Sequence, residues 1–220
     1  MNIKDKGIIM RRSAFTMLEL VFVIVVLGII AAMAIPRMEH DTRQQASEHI
    51  LSAFQTTRYM ALIDNRTNPD DSNWQKELWN IRFLADGNGG FFYTISSNAN
   101  QDDTVDKNET ALDATNGKYM YNQFNTNTID SDESKSIFIG QNYGINSVVF
   151  AGGCANSDYI AFDYLGRPFA SGIYVNALVP MVLYSNVMTR ACTITFGFQD
   201  ATLNDLVYMI EPETGHVSLL

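Results

Sequence analysis

Between Leu20 and Ile35 the chain carries no charge. With Phe15 to Leu18 added, the apolar stretch reaches the roughly 20 residues that a helix rising about 1.5 Å per residue needs to cross a bilayer. Within it only Thr16, Gly28 and one carboxylate, Glu19, depart from apolar character. A carboxyl group at the centre of such a span costs about 2.5–3.5 kcal/mol on insertion scales, less towards the interface, and ordinarily has a dedicated partner. Lys4, Lys6, Arg11 and Arg12 precede the span and almost no positive charge lies just after it, which leaves the amino terminus in the cytoplasm and the rest of the chain exported.

A cut between Ala14 and Phe15 would supply that partner. It would place a new α-amino group one helical turn from Glu19, to pair within the chain or with a lateral neighbour. The second arrangement turns an anchor into an assembly device. Ala14-Phe15-Thr16-Met17-Leu18-Glu19, followed by the apolar run and Pro36, resembles the processing motif of type IV prepilins and pseudopilins. The resemblance implies cleavage after Ala14 by a prepilin peptidase, N-methylation of Phe15, and Glu19 guiding docking into a helical filament. Where the family usually has glycine before the cut, this chain has Ala14. Two other readings stand beside it. In a secretory signal peptide, Ala32-Met33-Ala34 would be the cleavage site; against this, the apolar core exceeds the usual 7–15 residues and Glu19 has no use. An uncut signal anchor explains the topology but not the glutamate.

A chain of 220 residues leaves room for a leader, one span and a domain of about 150 residues with a real core. Net charge is −9; removing residues 1–14 takes away four basic side chains and one acidic one, leaving −12. That balance argues against a general grip on nucleic acid, which needs basic patches to neutralise phosphates. Cys154 and Cys192, an even pair on the exported side, suggest one disulfide, with two buried free thiols as the alternative. Neither has a second cysteine or a histidine at metal-ligand spacing, and no metal or cofactor is expected.

Four segments follow in order: leader 1–14, transmembrane and assembly helix 15–36, amphipathic continuation 37–64, and a β-rich domain 65–220. Pro36 removes a helical hydrogen bond and is expected to kink the helix near the membrane surface. Ala46, Ile50, Ala53, Phe54, Thr57, Ala61 and Leu62 recur at three- and four-residue steps and predict the buried face. Beyond Asn65 the period becomes that of strands. Trp79–Phe83 and Phe91–Ile95 flank the turn Asp86-Gly87-Asn88-Gly89-Gly90, and Ile137–Ile139, Ser147–Phe150, Tyr159–Asp163, Cys192–Phe196, Leu206–Ile210 and His216–Leu220 read as further short strands. The expected fold is α+β, a long amino-terminal helix packed on antiparallel sheet in the pilin manner. Residues 96–136 read as a long polar excursion. Its Asp102, Asp103, Asp106, Glu109 and Asp113 invite a calcium loop but lack the EF-hand order, so a solvated loop is favoured.

Phe162-Asp163-Tyr164-Leu165-Gly166-Arg167-Pro168 is similar to a turn of the H-type minor pseudopilins, the group that includes the FimT-like proteins. The ending Ile210-Glu211-Pro212-Glu213-Thr214-Gly215-His216-Val217 and the helical Gln55–Ala61 fit the same pattern, whereas residues 66–158 match only in kind. As structure alone, both terminal motifs are turns. His40 and His49 lie nine residues apart on roughly opposite helix faces, His216 is remote in sequence, and no nucleophile elbow or phosphate-binding loop is present, so no catalytic residues are expected. The resemblance implies a minor subunit of a type II secretion pseudopilus: single-pass in the bacterial inner membrane, its β domain periplasmic, near the filament tip. Its implied partners are prepilin peptidase, other pseudopilins and secreted cargo. A type IV pilus or DNA-uptake pseudopilus uses the same parts, although the basic carboxy-terminal residues proposed to grip DNA in some FimT-like proteins are missing from His216–Leu220. From another class, the alternative is a membrane-anchored periplasmic β domain that binds a ligand.

Overall fold

The computed structural model describes residues 16–102, 104–124, 126, 128–171 and 184–220; the side chains of residues 32–41 lie outside the description. The chain divides into two compact units, Met1–Asp41 and Thr42–Leu220. Helix α1 runs over Met17–Ile63. In its part from Thr42 onward, Ala46, Ile50, Ala53, Phe54, Thr57 and Ala61 are buried as the helical period predicts. Leu62 is an exception, exposed one step past the last turn that meets the sheets.

The second unit is α+β, with two four-stranded antiparallel sheets. The first joins β1 (Trp79–Ala85), β2 (Phe91–Ser96), β4 (Tyr159–Phe162) and β5 (Pro168–Phe169) in the order β2-β1-β4-β5. The second joins β3 (Ile145–Gly152), β6 (Cys192–Phe198), β7 (Leu206–Ile210) and β8 (Val217–Leu219) in chain order. Apolar residues alternate along β6 and β7, so Ile194, Phe196, Leu206, Tyr208 and Ile210 all point to one side. Phe83 of the first sheet lies against Phe196 of the second, ring centres 5.0 Å apart, and Phe54 of α1 touches both Phe83 and Tyr208 at 5.7 and 6.0 Å. One helix thus closes a core shared by both sheets. Arg43 fastens the start of this packed half by donating to the carbonyls of Asn204 and Asp205 at 2.9 and 3.2 Å.

Two expectations need correction. Ile137–Ile139 is not a strand: a 3-10 turn, Lys135–Ile137, leads into the short helix α2 (Ile139–Tyr143). Ser134 accepts from the amide of Ser136 at the start, and Gly144 in the left-handed conformation ends α2. Three consecutive apolar residues are ambiguous by periodicity, and Gly140 decides for close packing, since a Cβ there would crowd the amide of Phe91. Nor is 96–136 a solvated loop. Ala111, Met120, Asp113, Asn122, Glu133 and Ser134 are buried, and a bridge from Ser96 to Thr110 ties the excursion to β2. Its carboxylates serve as internal acceptors. Asp106 and Glu109 form a capping box around a 3-10 turn, and the Lys107 ammonium sits 2.8, 3.0 and 2.9 Å from Asp130, Asp132 and Glu133.

Candidate functional site

From Thr16 to Ala31 every side chain is exposed within the monomer, Met17 and Leu18 at 88% and 80% among them. Exposing so long an apolar surface to water is unfavourable by about 25 cal/mol per Å². Glu19 is the segment's lone carboxylate, and its amide donates to the Thr16 hydroxyl at 3.2 Å, capping the first turn. Among the described residues no helix is long and apolar enough to cross a membrane; the described apolar side chains end at Ala31. Ala14, Phe15, the side chain of Pro36 with its expected kink, and His40 lie outside the described residues.

Cys154 and Cys192 are joined in a disulfide, which closes the open end of the β3–β6 pair where Gly152 faces Cys192. The two turn motifs near the carboxy terminus meet in space. Asp163, fully buried, accepts from the amides of Leu165 and Arg167 and binds the Arg167 guanidinium at 2.7 Å. Gly166 packs on Arg58 of α1, whose Nε donates to the Thr214 carbonyl at 3.2 Å, and Gly215 packs directly on the Gly166 carbonyl. Residues far apart in sequence therefore form one junction between helix and both sheets.

A cleft of about 350 Å³ runs between α1 and the excursion. The helix offers Glu48, Ser52, Thr56 and Met60 at four-residue steps, which stacks them along one side. The opposite wall is built by Leu112, Asp113 and Met120. At its end His49 lies between two tyrosines, Nδ1 2.8 Å from the Tyr143 hydroxyl and Nε2 2.8 Å from the Tyr93 hydroxyl, with both rings edge-on to the imidazole. Burial lowers the His49 pKa, opposed by the nearby Asp113 carboxylate, so the imidazole is held neutral, donating through one nitrogen and accepting through the other. Burial raises both tyrosine hydroxyls above their ordinary value. Burial also works against the Asp113 carboxylate, but hydrogen bonds from Ser134, Ser136 and Thr115 outweigh it and hold its pKa below the usual range. Chemically the arrangement is a clamp that ties α1, β2 and α2 together beside a cleft of mixed polar and apolar character.

By spacing alone His49 is one of two helix histidines that form no metal pair. Its tyrosine partners lie 44 and 94 residues away, and no spacing rule reaches them. Asp113 belonged to the calcium question; its oxygens are taken by Thr115, Asn116, Ser134 and Ser136. Among the described residues no three His, Cys, Asp or Glu side chains converge to hold a metal ion. Comparison with models of known protein families, with curated proteins and with solved structures found no match.

Proposed function

We propose that this chain is a minor pseudopilin, a subunit of a type II secretion pseudopilus, cut after Ala14, methylated on Phe15 and anchored in the inner membrane with its β domain in the periplasm. The observation that carries the reading is the apolar helical segment Met17–Ala31, its side chains exposed, with the single carboxylate Glu19 in its first turn. Such a surface suits association with other helices in lipid, and Gly28 leaves open space for close approach, since no atom lies within 4 Å of where its Cβ would be. The pairing of Glu19 with a neighbour's new amino terminus offsets the cost of a carboxylate in the span. Further support comes from the α+β domain, in which the carboxy-terminal half of α1 packs on antiparallel sheets, as the pseudopilin reading expects. A minor pilin of a type IV pilus or DNA-uptake pseudopilus uses the same parts.

Mass spectrometry of the mature amino terminus tests the reading. A methylated phenylalanine at position 15 is expected; an intact Met1 or a start at Ile35 overturns it. Glu19→Ala is expected to leave membrane insertion intact and to reduce recovery of partner pseudopilins by about tenfold, equivalent to about 1.4 kcal/mol. Unchanged co-purification would remove the pairing mechanism. The second reading, a tethered ligand-binding β domain, draws on the cleft beside His49.

A further inference from the structure

The outward face of the second sheet carries two rows of side chains with no charge among them. Strand register places Ala151, Thr193, Met209 and Ser218 side by side in one row, and Val149, Thr195 and Val207 in the next. Their neighbours along β6 and β7, from Cys192 to Phe196 and from Leu206 to Ile210, are buried on the other side, so these rows face away from the core. Val149 is 57% exposed. The solvated face of an antiparallel sheet ordinarily carries polar and charged residues in alternation with the core. Here the unit Thr42–Leu220 holds 20 acidic and 10 basic side chains, a net −10, and none of them falls in either row.

The charges come at the two ends. Past the second row, Ser147 and Asp205 flank Gly197 on this face, since a Cβ on Gly197 would meet Ser147 Oγ and lie 3.5 Å from Asp205 Oδ1. Past the first row, Glu211 continues the outward alternation of β7 and pairs by backbone with His216. The five residues of β7 separate Asp205 from Glu211, and six steps of roughly 3.4 Å put them about 20 Å apart. The surface is an uncharged strip of Ala, Ser, Thr, Val and Met side chains with a carboxylate at either end.

We propose that this face docks a different protein, one whose contact surface has a flat, uncharged centre with Lys or Arg side chains about 20 Å apart at its edges. A second copy of this chain does not fit: it would bring net charge −10 against −10, and its own strip has no cations to meet Asp205 and Glu211. The strip spans about 15 Å across the strands by about 14 Å along them, far below the roughly 800 Å² per partner of a standard stable interface. Contact of this size gains occupancy when both proteins are already confined to one membrane or assembly, which raises their effective concentration. The inference concerns a surface apart from the amino-terminal helix and holds whether the chain is a filament subunit or a tethered module.

A photo-crosslinking amino acid at Val207 of the full-length chain, irradiated in membranes of its native host, tests it. The expected product is an adduct with another protein, the crosslink mapped by mass spectrometry to an uncharged segment with Lys or Arg to either side. Asp205→Lys combined with Glu211→Lys should lower its yield at least about fivefold, the effect of about 1 kcal/mol from two edge charges. Asp205→Asn with Glu211→Gln should give an intermediate loss, and Asp70→Lys, on the connector after α1, none. Retention of the Cys154–Cys192 disulfide reports that each variant is folded. Crosslinked dimers of this chain, a partner segment without flanking cations, yields indifferent to charge reversal, or no adduct from folded protein would each overturn the proposal. A crosslinking residue at Leu20 tests helix assembly separately: adducts at Leu20 but none at Val207 remove the docking face and leave the pseudopilin reading standing.

Discussion

Gly89 and Gly215 both adopt positive φ, at +83° and +61°, yet they answer to different constraints. Gly89 sits in the β1–β2 turn with open space around its missing Cβ, so only conformation demands glycine there. Gly215 also lies on the Gly166 carbonyl and the Phe162 ring, so a side chain would push backbone from backbone. Gly89→Ala is expected to cost about 1–2 kcal/mol from the left-handed conformation alone. Gly215→Ala should add about 1–3 kcal/mol of overpacking to that. Urea denaturation of the two variants reads the difference, and equal midpoints would show that the junction between the carboxy-terminal turns is loose. Asp163 adds to the same junction, since its carboxylate holds the turn amides as well as Arg167.

Among the elements, the clamp around His49 has a pH dependence with a definite sign. Burial lowers the folded-state pKa of His49 below the ordinary 6.5, so the folded protein binds its proton less readily than the unfolded chain does. Stability is then fully present above about pH 6.5 and is lost as pH falls through the folded-state value. Asp113, also depressed, contributes stability that is lost only at lower pH, below the ordinary carboxylate range. The other titratable groups around the clamp, Tyr93 and Tyr143, stay protonated across that window because burial raises them, and Glu48 stands at the cleft mouth. His49→Gln keeps a donor and an acceptor but does not titrate. Its urea midpoint should fall less than the parent's between about pH 7.5 and pH 5.5. Parallel curves for the two proteins would rule the clamp out as the source of the pH dependence.

At the scale of the molecule, the buried core among the described residues runs within Thr42–Leu220, from Ala46 on the helix to Val217 on β8. The disulfide lies in the same unit and, on the chain-entropy account, contributes about 4 kcal/mol for a loop of 38 residues. A chain beginning at Thr42 is therefore expected to keep its fold and disulfide and, on the proposed function, to lose membrane association. Circular dichroism and membrane flotation check the two halves of that statement, and an unfolded fragment would mean that the apolar segment contributes to the domain's core.

Much of this architecture was legible residue by residue. The α1 face from Ala46 to Ala61, the β1–β2 hairpin at Asp86–Gly90 and the alternating strands β6 and β7 follow from periods of 3.6 and 2 and from turn chemistry, which are local properties of a chain. With two cysteines, the count names Cys154 and Cys192 as the only possible pair but leaves free thiols open; the structure joins them. Long-range placement was not legible. Whether Ile137–Ile139 became strand or helix depended on how closely Gly140 approaches Phe91, and whether 96–136 was solvated or packed depended on which partners its carboxylates met. His49 acquired its tyrosines, and β7 its neutral outer row between β6 and β8, only when distant segments were brought together. A sequence records which face of each element is apolar; which two faces meet is settled by the free energy of the whole packed core, to which every element contributes at once.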